Sequence, residues 1–463
     1  MVFSSLLFLY FFLPGTLILY FISPAKRKNI VLLFVSLFFY AWGEPVYVGL
    51  ILFSSLADYV FGLLIAKYRR DKRWAARLLL ILSLATSIGI LAFFKYADFL
   101  IVNMNTVLGT EIGLLDLPLP IGISFYTFQT MSYIIDVYWG KVKAQRSFIS
   151  FAMYVTLFPQ LIAGPIVRYE WIEKEIAKRH VTFELFSDGV KLFIIGLGKK
   201  VLIANQIGAL WEEVHGAAPG ELSIAAAWLG IIAFAFQIYF DFSGYSDMAI
   251  GLGKMFGFQF PANFNYPYIS RSITEFWRRW HMTLGSWFRE YVYIPLGGNR
   301  KGKLRTYMNL LIVWMLTGFW HGASWNFIIW GLYFGVFIIL ERLFLQKALQ
   351  KLPSLLQRVY FMFFILIGWV LFVFDDLSAG LRYLAMMFGM NGEPVADQAF
   401  LYLLSSNLLL LLAAFVGSAP RLKLVKRVVA LPFFQPVFCF IVFVFSSAYL
   451  VGATYNPFLY FRF

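Results

Sequence analysis

His281 and His321 are two of only four histidines in a chain of 463 residues. His281 closes the run Glu275-Phe-Trp-Arg-Arg-Trp-His281, and His321 lies in Gly318-Phe-Trp-His321-Gly322 between long apolar stretches. Imidazole is the side chain best matched to moving a proton near neutral pH, as acyl transfer to a hydroxyl requires. The run Met308 to Trp320 carries no charge, and neither does Ala323 to Leu340. An ionisable group at membrane depth is costly to keep there, so it marks a functional site by default. Inside a span, His321 should be a neutral imidazole able to accept a proton. The same residue could equally be a packed histidine satisfied by a carbonyl or hydroxyl, and the sequence leaves both readings open.

Two further patterns could position these histidines. Residues 273–291 read as one amphipathic helix, opened by Ser272 and Glu275 at capping-box spacing. On a helical wheel Trp277, Trp280, Leu284, Trp287, Phe288 and Tyr291 share one face. Glu275, Arg278, Arg279, Thr283, Ser286, Arg289 and Glu290 share the other, with His281 on the seam. Such a helix serves either as an interfacial anchor or as a cavity wall. The second pattern is Gln237-Ile-Tyr-Phe-Asp241-Phe-Ser243-Gly-Tyr245-Ser246-Asp247, which interrupts an apolar run from Ile224. A buried carboxylate needs partners, so Asp241 should orient a histidine, pair with Arg278 or Arg279, or belong to a structural network. His180 and His215 stand in polar surroundings and read as solvated surface residues.

The composition says what must carry these groups. Hydrophobic residues make up 61% of the chain, aromatics 20% and charged residues 14%, with mean hydropathy +0.74. A soluble fold of this size could not cover so much apolar surface with so few charges. The runs are continuous rather than alternating, which excludes a transmembrane barrel and predicts a polytopic all-α membrane protein. The N-terminal apolar run reads as a retained first span. The single cysteine, Cys439, excludes an intrachain disulfide and a multi-cysteine metal site, and no metal site is expected. The net charge of +15 lies in short clusters between apolar runs. That pattern fits a positive cytoplasmic face against anionic lipid and argues against nucleic acid as a partner.

Apolar runs and basic loops place spans at residues 3–22, 30–42, 46–66, 77–94, 119–138, 357–374, 400–417 and 433–452, with the N-terminus outside. Basic clusters at Lys26-Arg27-Lys28, Lys67 to Arg73, Lys141 to Arg146, and Arg421, Lys423, Lys426 and Arg427 set that orientation. Residues 147–166 contain Pro159 and Pro165, and residues 186–205 contain Gly196, Gly198, Lys199 and Lys200. Both read as re-entrant or tilted segments around an internal cavity. Residues 166–180 read as a surface helix. The chain has no Gly-x-Ser-x-Gly elbow, Walker A loop or His-Glu-x-x-His. Gly251-Leu-Gly253-Lys-Met-Phe-Gly257 is better explained by helix packing than by dinucleotide binding.

Taken together, several segments resemble the membrane-bound O-acyltransferases, and within them the AlgI-type bacterial polysaccharide O-acetyltransferases. They are Leu119-Pro-Ile-Gly-Ile-Ser-Phe-Tyr-Thr-Phe-Gln129, Phe158-Pro-Gln-Leu-Ile-Ala-Gly-Pro165, Phe240-Asp-Phe-Ser-Gly-Tyr-Ser-Asp247 and Pro261-Ala-Asn-Phe-Asn265. Glu275 to His281, Tyr293-Ile-Pro-Leu-Gly-Gly-Asn299-Arg300, Gly318 to Gly322 and Asn456 to Phe463 complete the set, which runs in order over nearly the whole chain. The resemblance implies one membrane-embedded domain over residues 1–463, a ring of transmembrane and re-entrant helices around a central tunnel. Its catalytic core would span about 119–341, with peripheral helices at 1–118 and 342–463. His321 matches the family's principal catalytic histidine and His281 its second motif histidine. Asp241, Ser243, Tyr245, Arg278, Arg279, Trp280, Trp320 and Asn299 are candidates for binding substrate or lining the tunnel.

The same resemblance implies an O-acetyltransferase of the bacterial cytoplasmic (inner) membrane with no permanently bound cofactor. Acetyl-CoA would be the co-substrate on the cytoplasmic side. An extracytoplasmic SGNH-type acetyltransferase or another polysaccharide-synthesis partner would complete transfer to a polysaccharide. A transporter or flippase of a lipid-linked substrate, or a scaffold with both histidines merely packed, are the competing classes. CoA release and the effect of changing the two histidines separate them.

Overall fold

Within hydrocarbon no water satisfies backbone N–H and C=O groups, so an apolar chain of this kind closes its hydrogen bonds within helices. The structure is a computed structural model. It describes every residue except 163, 218–221, 421–430, 432, 453–458 and 460–463. Among the described residues there is no strand. Arg421, Lys423, Lys426, Arg427, Ala163 and the terminal motif apart from Leu459 lie outside the described residues.

The chain divides into two compact units, Met1–Phe193 with Ser246–Pro261, and Ile194–Tyr245 with Ala262–Phe463. The helices begin with α1 (Leu13–Ile22), α2 (Lys28–Ala41), α3 (Val48–Tyr68), α4 (Arg73–Leu108) and α5 (Ile123–Trp139). Then come α6 (Phe148–Thr156), α7 (Phe158–Leu161), α8 (Tyr169–Ala177), α9 (Phe183–Gly198), α10 (Asn205–His215) and α11 (Ile224–Met255). The later chain forms α12 (Ile273–Arg279), α13 (Met282–Phe288), α14 (Lys303–His321), α15 (Trp325–Leu340) and α16 (Gln346–Leu349). It ends with α17 (Ser354–Val373), α18 (Leu377–Met387), α19 (Gln398–Gly417) and α20 (Phe434–Gly452).

Eight helical stretches among the described residues are long and apolar enough to cross a membrane: 48–68, 73–108, 183–215, 224–255, 325–349, 354–373, 398–417 and 434–452. The chain is therefore an all-α, multi-pass membrane protein. Several expected boundaries move. The run at 77–94 belongs to α4, whose 36 residues extend about 54 Å, well beyond a hydrocarbon core of about 30 Å. The run at 186–205 is not a re-entrant break. It lies in a continuous helical stretch, Phe183–His215, in which Lys199–Ala204 adopt π geometry. The run at 147–166 does break, at Leu157 between α6 and α7.

The segment expected to span at 119–138 is shorter than the usual crossing length, because α5 has 17 residues. Every residue of α5 from Ile123 to Val137 is buried, so protein surrounds it where lipid was expected. Gly122 caps its start at φ +77, and a Cβ there would press on the Leu161 carbonyl, so this entry demands glycine. The segment expected at 30–42 is likewise a short helix, the 14-residue α2. The run at 3–22 becomes a short π turn, Phe8–Phe12, followed by α1. The surface helix expected at 166–180 is α8, which buries Tyr169, Ile172 and Ile176. His180 and His215 are exposed as expected, His215 as the last residue of α10.

Candidate active site

His321 is the last residue of α14, and α15 begins four residues later. Two glycines bring these helices together. A Cβ at Gly318 would collide with the Phe327 carbonyl, and one at Gly331 with the Trp314 carbonyl. Backbones approach this closely only where small residues meet. His321 is 3% exposed, and its ring packs 5.0 Å from Trp320, 5.1 Å from Trp330 and 5.5 Å from Phe372. The apolar flanks read in the sequence thus become an aromatic box around one imidazole.

His281 is held differently, and here the expected helix over 273–291 is corrected. It breaks into α12 and α13, with His281 between them in left-handed backbone at φ +43 and ψ 52. The irregular segment before α12 takes over the freed groups. Asn263 accepts from Met282 N–H through its carbonyl (2.9 Å), and Asn265 N–H donates to the Arg279 carbonyl (2.9 Å). The Asn263 side-chain oxygen meets Thr283 N (3.3 Å), Thr283 Oγ1 (2.8 Å) and His281 Nδ1 (3.1 Å). Left-handed backbone in a residue with a Cβ costs about 1–3 kcal/mol and persists only where neighbours impose it. The wheel drawn over 273–291 assumed unbroken geometry. The capping expected at Ser272 is present, with Ser272 Oγ accepting from Glu275 N.

The two histidines line one cavity of about 480 Å³ within the second unit. Its apolar wall includes Trp277, Trp280, Leu284, Phe288, Leu310, Val313, Trp314 and Ile338. Its basic groups are Arg278, Arg289 and Arg342, all exposed, and among the described residues no aspartate or glutamate lines it. Arg342 reaches this wall from a π turn, Glu341–Leu345, that extends α15 and sets Ile338, Arg342 and Gln346 along one side. Glu341 is 1% exposed and accepts from Ile273 N (2.7 Å), Thr274 N (2.8 Å) and Tyr360 Oη (3.2 Å). A carboxylate at these first amides satisfies donors that α12 cannot pair itself and complements its dipole. His281, which belongs to neither helix, is pushed down by burial to about 3, so its ring is neutral.

The cavity gathers His281, His321, Arg278 and Trp280 from the expected set. Trp320 does not line it but packs against both rings, 6.1 Å from His281 and 5.0 Å from His321. Arg279 lies outside it, bound to Glu275 (2.9 Å) and to the Asn265 carbonyl (3.2 Å). Asn299 is an exposed turn residue and does not line the cavity. Among the described residues, Asp241 pairs neither with an arginine nor with a histidine. It forms a buried ion pair with Lys200 at 2.6 Å and accepts from Leu459 N at 2.9 Å. Ser243 and Tyr245, also on α11, are buried away from the cavity lining. Sequence reasoning missed Asn263, Arg289, Arg342 and Glu341 as site residues, and Lys200 as the partner of Asp241. Asn263 stood inside a quoted motif, and Glu341 is the first charge after the run ending at Leu340.

Residues 142–381 match the sequence model of the MBOAT, membrane-bound O-acyltransferase, family. A probable alginate O-acetylase AlgI of Azotobacter vinelandii is 42% identical over 90% of this chain and 84% of its own length. Its counterpart in Pseudomonas aeruginosa is 43% identical over 86% of this chain and 76% of its own. A peptidoglycan O-acetyltransferase of Helicobacter pylori is 35% identical over 94% of this chain and 89% of its own.

Proposed function

This chain belongs to the membrane-bound O-acyltransferase family, and we propose that it moves acetyl groups from cytoplasmic acetyl-CoA to an extracytoplasmic polysaccharide. The bacterial cytoplasmic membrane is its setting, and alginate is the leading acceptor because the alginate O-acetylases are among its relatives. An SGNH-type acetyltransferase outside the membrane takes the acetyl group onward to the polymer.

The observation that carries this reading is the cavity itself, where two imidazoles share a largely apolar chamber with three arginines and, among the described residues, no lining acid. A neutral imidazole takes the proton of the attacking hydroxyl. The new C–O bond forms at the thioester carbonyl, the C–S bond breaks, and the proton passes to the leaving thiolate. His321 is assigned as the general base, with His281 completing the site. Trp277, Trp280 and Phe288 exclude water that would hydrolyse the thioester. The arginines suit the phosphates of the donor, since guanidinium pairs with phosphate in a fork geometry.

The test uses protein in nanodiscs with acetyl-CoA and a hydroxyl acceptor, following free CoA. His321→Ala should lower acetyl-CoA-dependent release by at least about 10²-fold while leaving the elution profile and thermal unfolding unchanged. Release at the wild-type rate from a folded His321→Ala protein would remove His321 from the chemistry.

A further inference from the structure

We propose that Asn263 is a positioning residue that fixes the tautomer of His281, so that Nε2 is the ring's proton-accepting nitrogen and His281 does not serve as a hydrogen-bond donor to the substrate. This rests on the reading of the cavity as an acyl-transfer site.

Hydrogen-bond direction fixes the tautomer. A backbone N–H can only donate, and Thr283 N–H points at the Asn263 side-chain terminus at 3.3 Å. The atom there is therefore the carboxamide oxygen, an acceptor with no proton to give. His281 Nδ1 lies 3.1 Å from that same oxygen, so Nδ1 must carry the hydrogen. A neutral imidazole has one N–H, which leaves Nε2 as the basic nitrogen. Thr283 Oγ1 also reaches the oxygen at 2.8 Å, and Met282 N–H is held by the Asn263 carbonyl at 2.9 Å. Asn263 is 1% exposed, so water does not compete for these contacts. The same contacts hold the left-handed turn at His281. One buried carboxamide thus sets the ring's tautomer and orientation together, much as a carbonyl partner fixes a metal-binding histidine.

The consequence is a division of labour. Donors to the developing oxyanion must come from other cavity groups, and His281 belongs to the proton-accepting side of the reaction with His321. Exchange of Asn263 for aspartate keeps an oxygen facing Nδ1 but adds a negative charge, which stabilises the imidazolium and raises its pKa. Activity that needs neutral His281 should then fall at a higher pH than in the wild type.

Two measurements test this. First, imidazole nitrogen shifts of 15N-histidine-labelled protein, with His281 assigned through His281→Gln, should report a protonated Nδ1 and an unprotonated Nε2. That readout requires no turnover, so it stands even if acetyl-CoA is not the donor. Second, the acid limb of kcat/KM against pH should move to higher pH in Asn263→Asp, whereas Asn263→Ala should lose about tenfold to a hundredfold in kcat with little change in KM. A protonated Nε2 in the wild type overturns the proposal. An Asn263→Asp profile superimposable on the wild type also overturns it. If Asn263→Ala does not fold, the wild-type nitrogen shifts and the aspartate variant still decide.

Discussion

At the scale of single residues, charge placement around the cavity is the most exposed part of the account. Arg278, Arg289 and Arg342 line it without an acid among them, so their field is available to an anionic donor. Replacing Arg342 with Gln should raise KM for acetyl-CoA by about tenfold, roughly 1.4 kcal/mol, with kcat nearly unchanged. The wild-type KM should rise with salt as screening grows, and the variant's should rise less. An unchanged KM would show that the phosphates bind elsewhere. Of these arginines only Arg278 was a site candidate from sequence, because it stands in the same short motif as His281. Arg342 lies 61 positions beyond His281 in the chain, and a linear pattern carries no sign that a π turn sets it on the cavity wall.

At the scale of elements, α12 is the part whose position decides the site, because it carries Arg278 and ends where His281 turns. Its start is held by Glu341 through the Ile273 and Thr274 amides. Glu341→Ala leaves those amides and the Tyr360 hydroxyl without their acceptor, at a cost of about 2–4 kcal/mol. The unfolding temperature in detergent should fall by several degrees and activity with it, and an unchanged temperature would contradict this role. The start of α12 was legible, since Ser272 and Glu275 form the capping pair the sequence announces. The break at His281 was not. Its cause is Asn263, 18 positions away, and local periodicity cannot register a tertiary competitor for backbone groups. Likewise α5 looked like a span because its composition suits lipid, but burial on every side is a property of its neighbours.

At the scale of the whole molecule, class and family were readable because hydropathy sums over hundreds of residues and the motifs recur in order along the chain. Crossing lengths were less so, since α4 and the stretch 183–215 run past the apolar windows that marked them. The reading of the molecule as a conduit for acetyl groups makes a demand on sidedness. Protein of a single orientation is placed in sealed vesicles, with acetyl-labelled acetyl-CoA on the cytoplasmic face only and an acceptor hydroxyl, as purified partner or oligosaccharide, on the other. The account predicts acetyl label on the far-side acceptor while CoA accumulates on the near side, with both signals lost in His321→Ala. Label confined to the face where acetyl-CoA was supplied, or far-side label that persists in the folded His321→Ala protein, would contradict it.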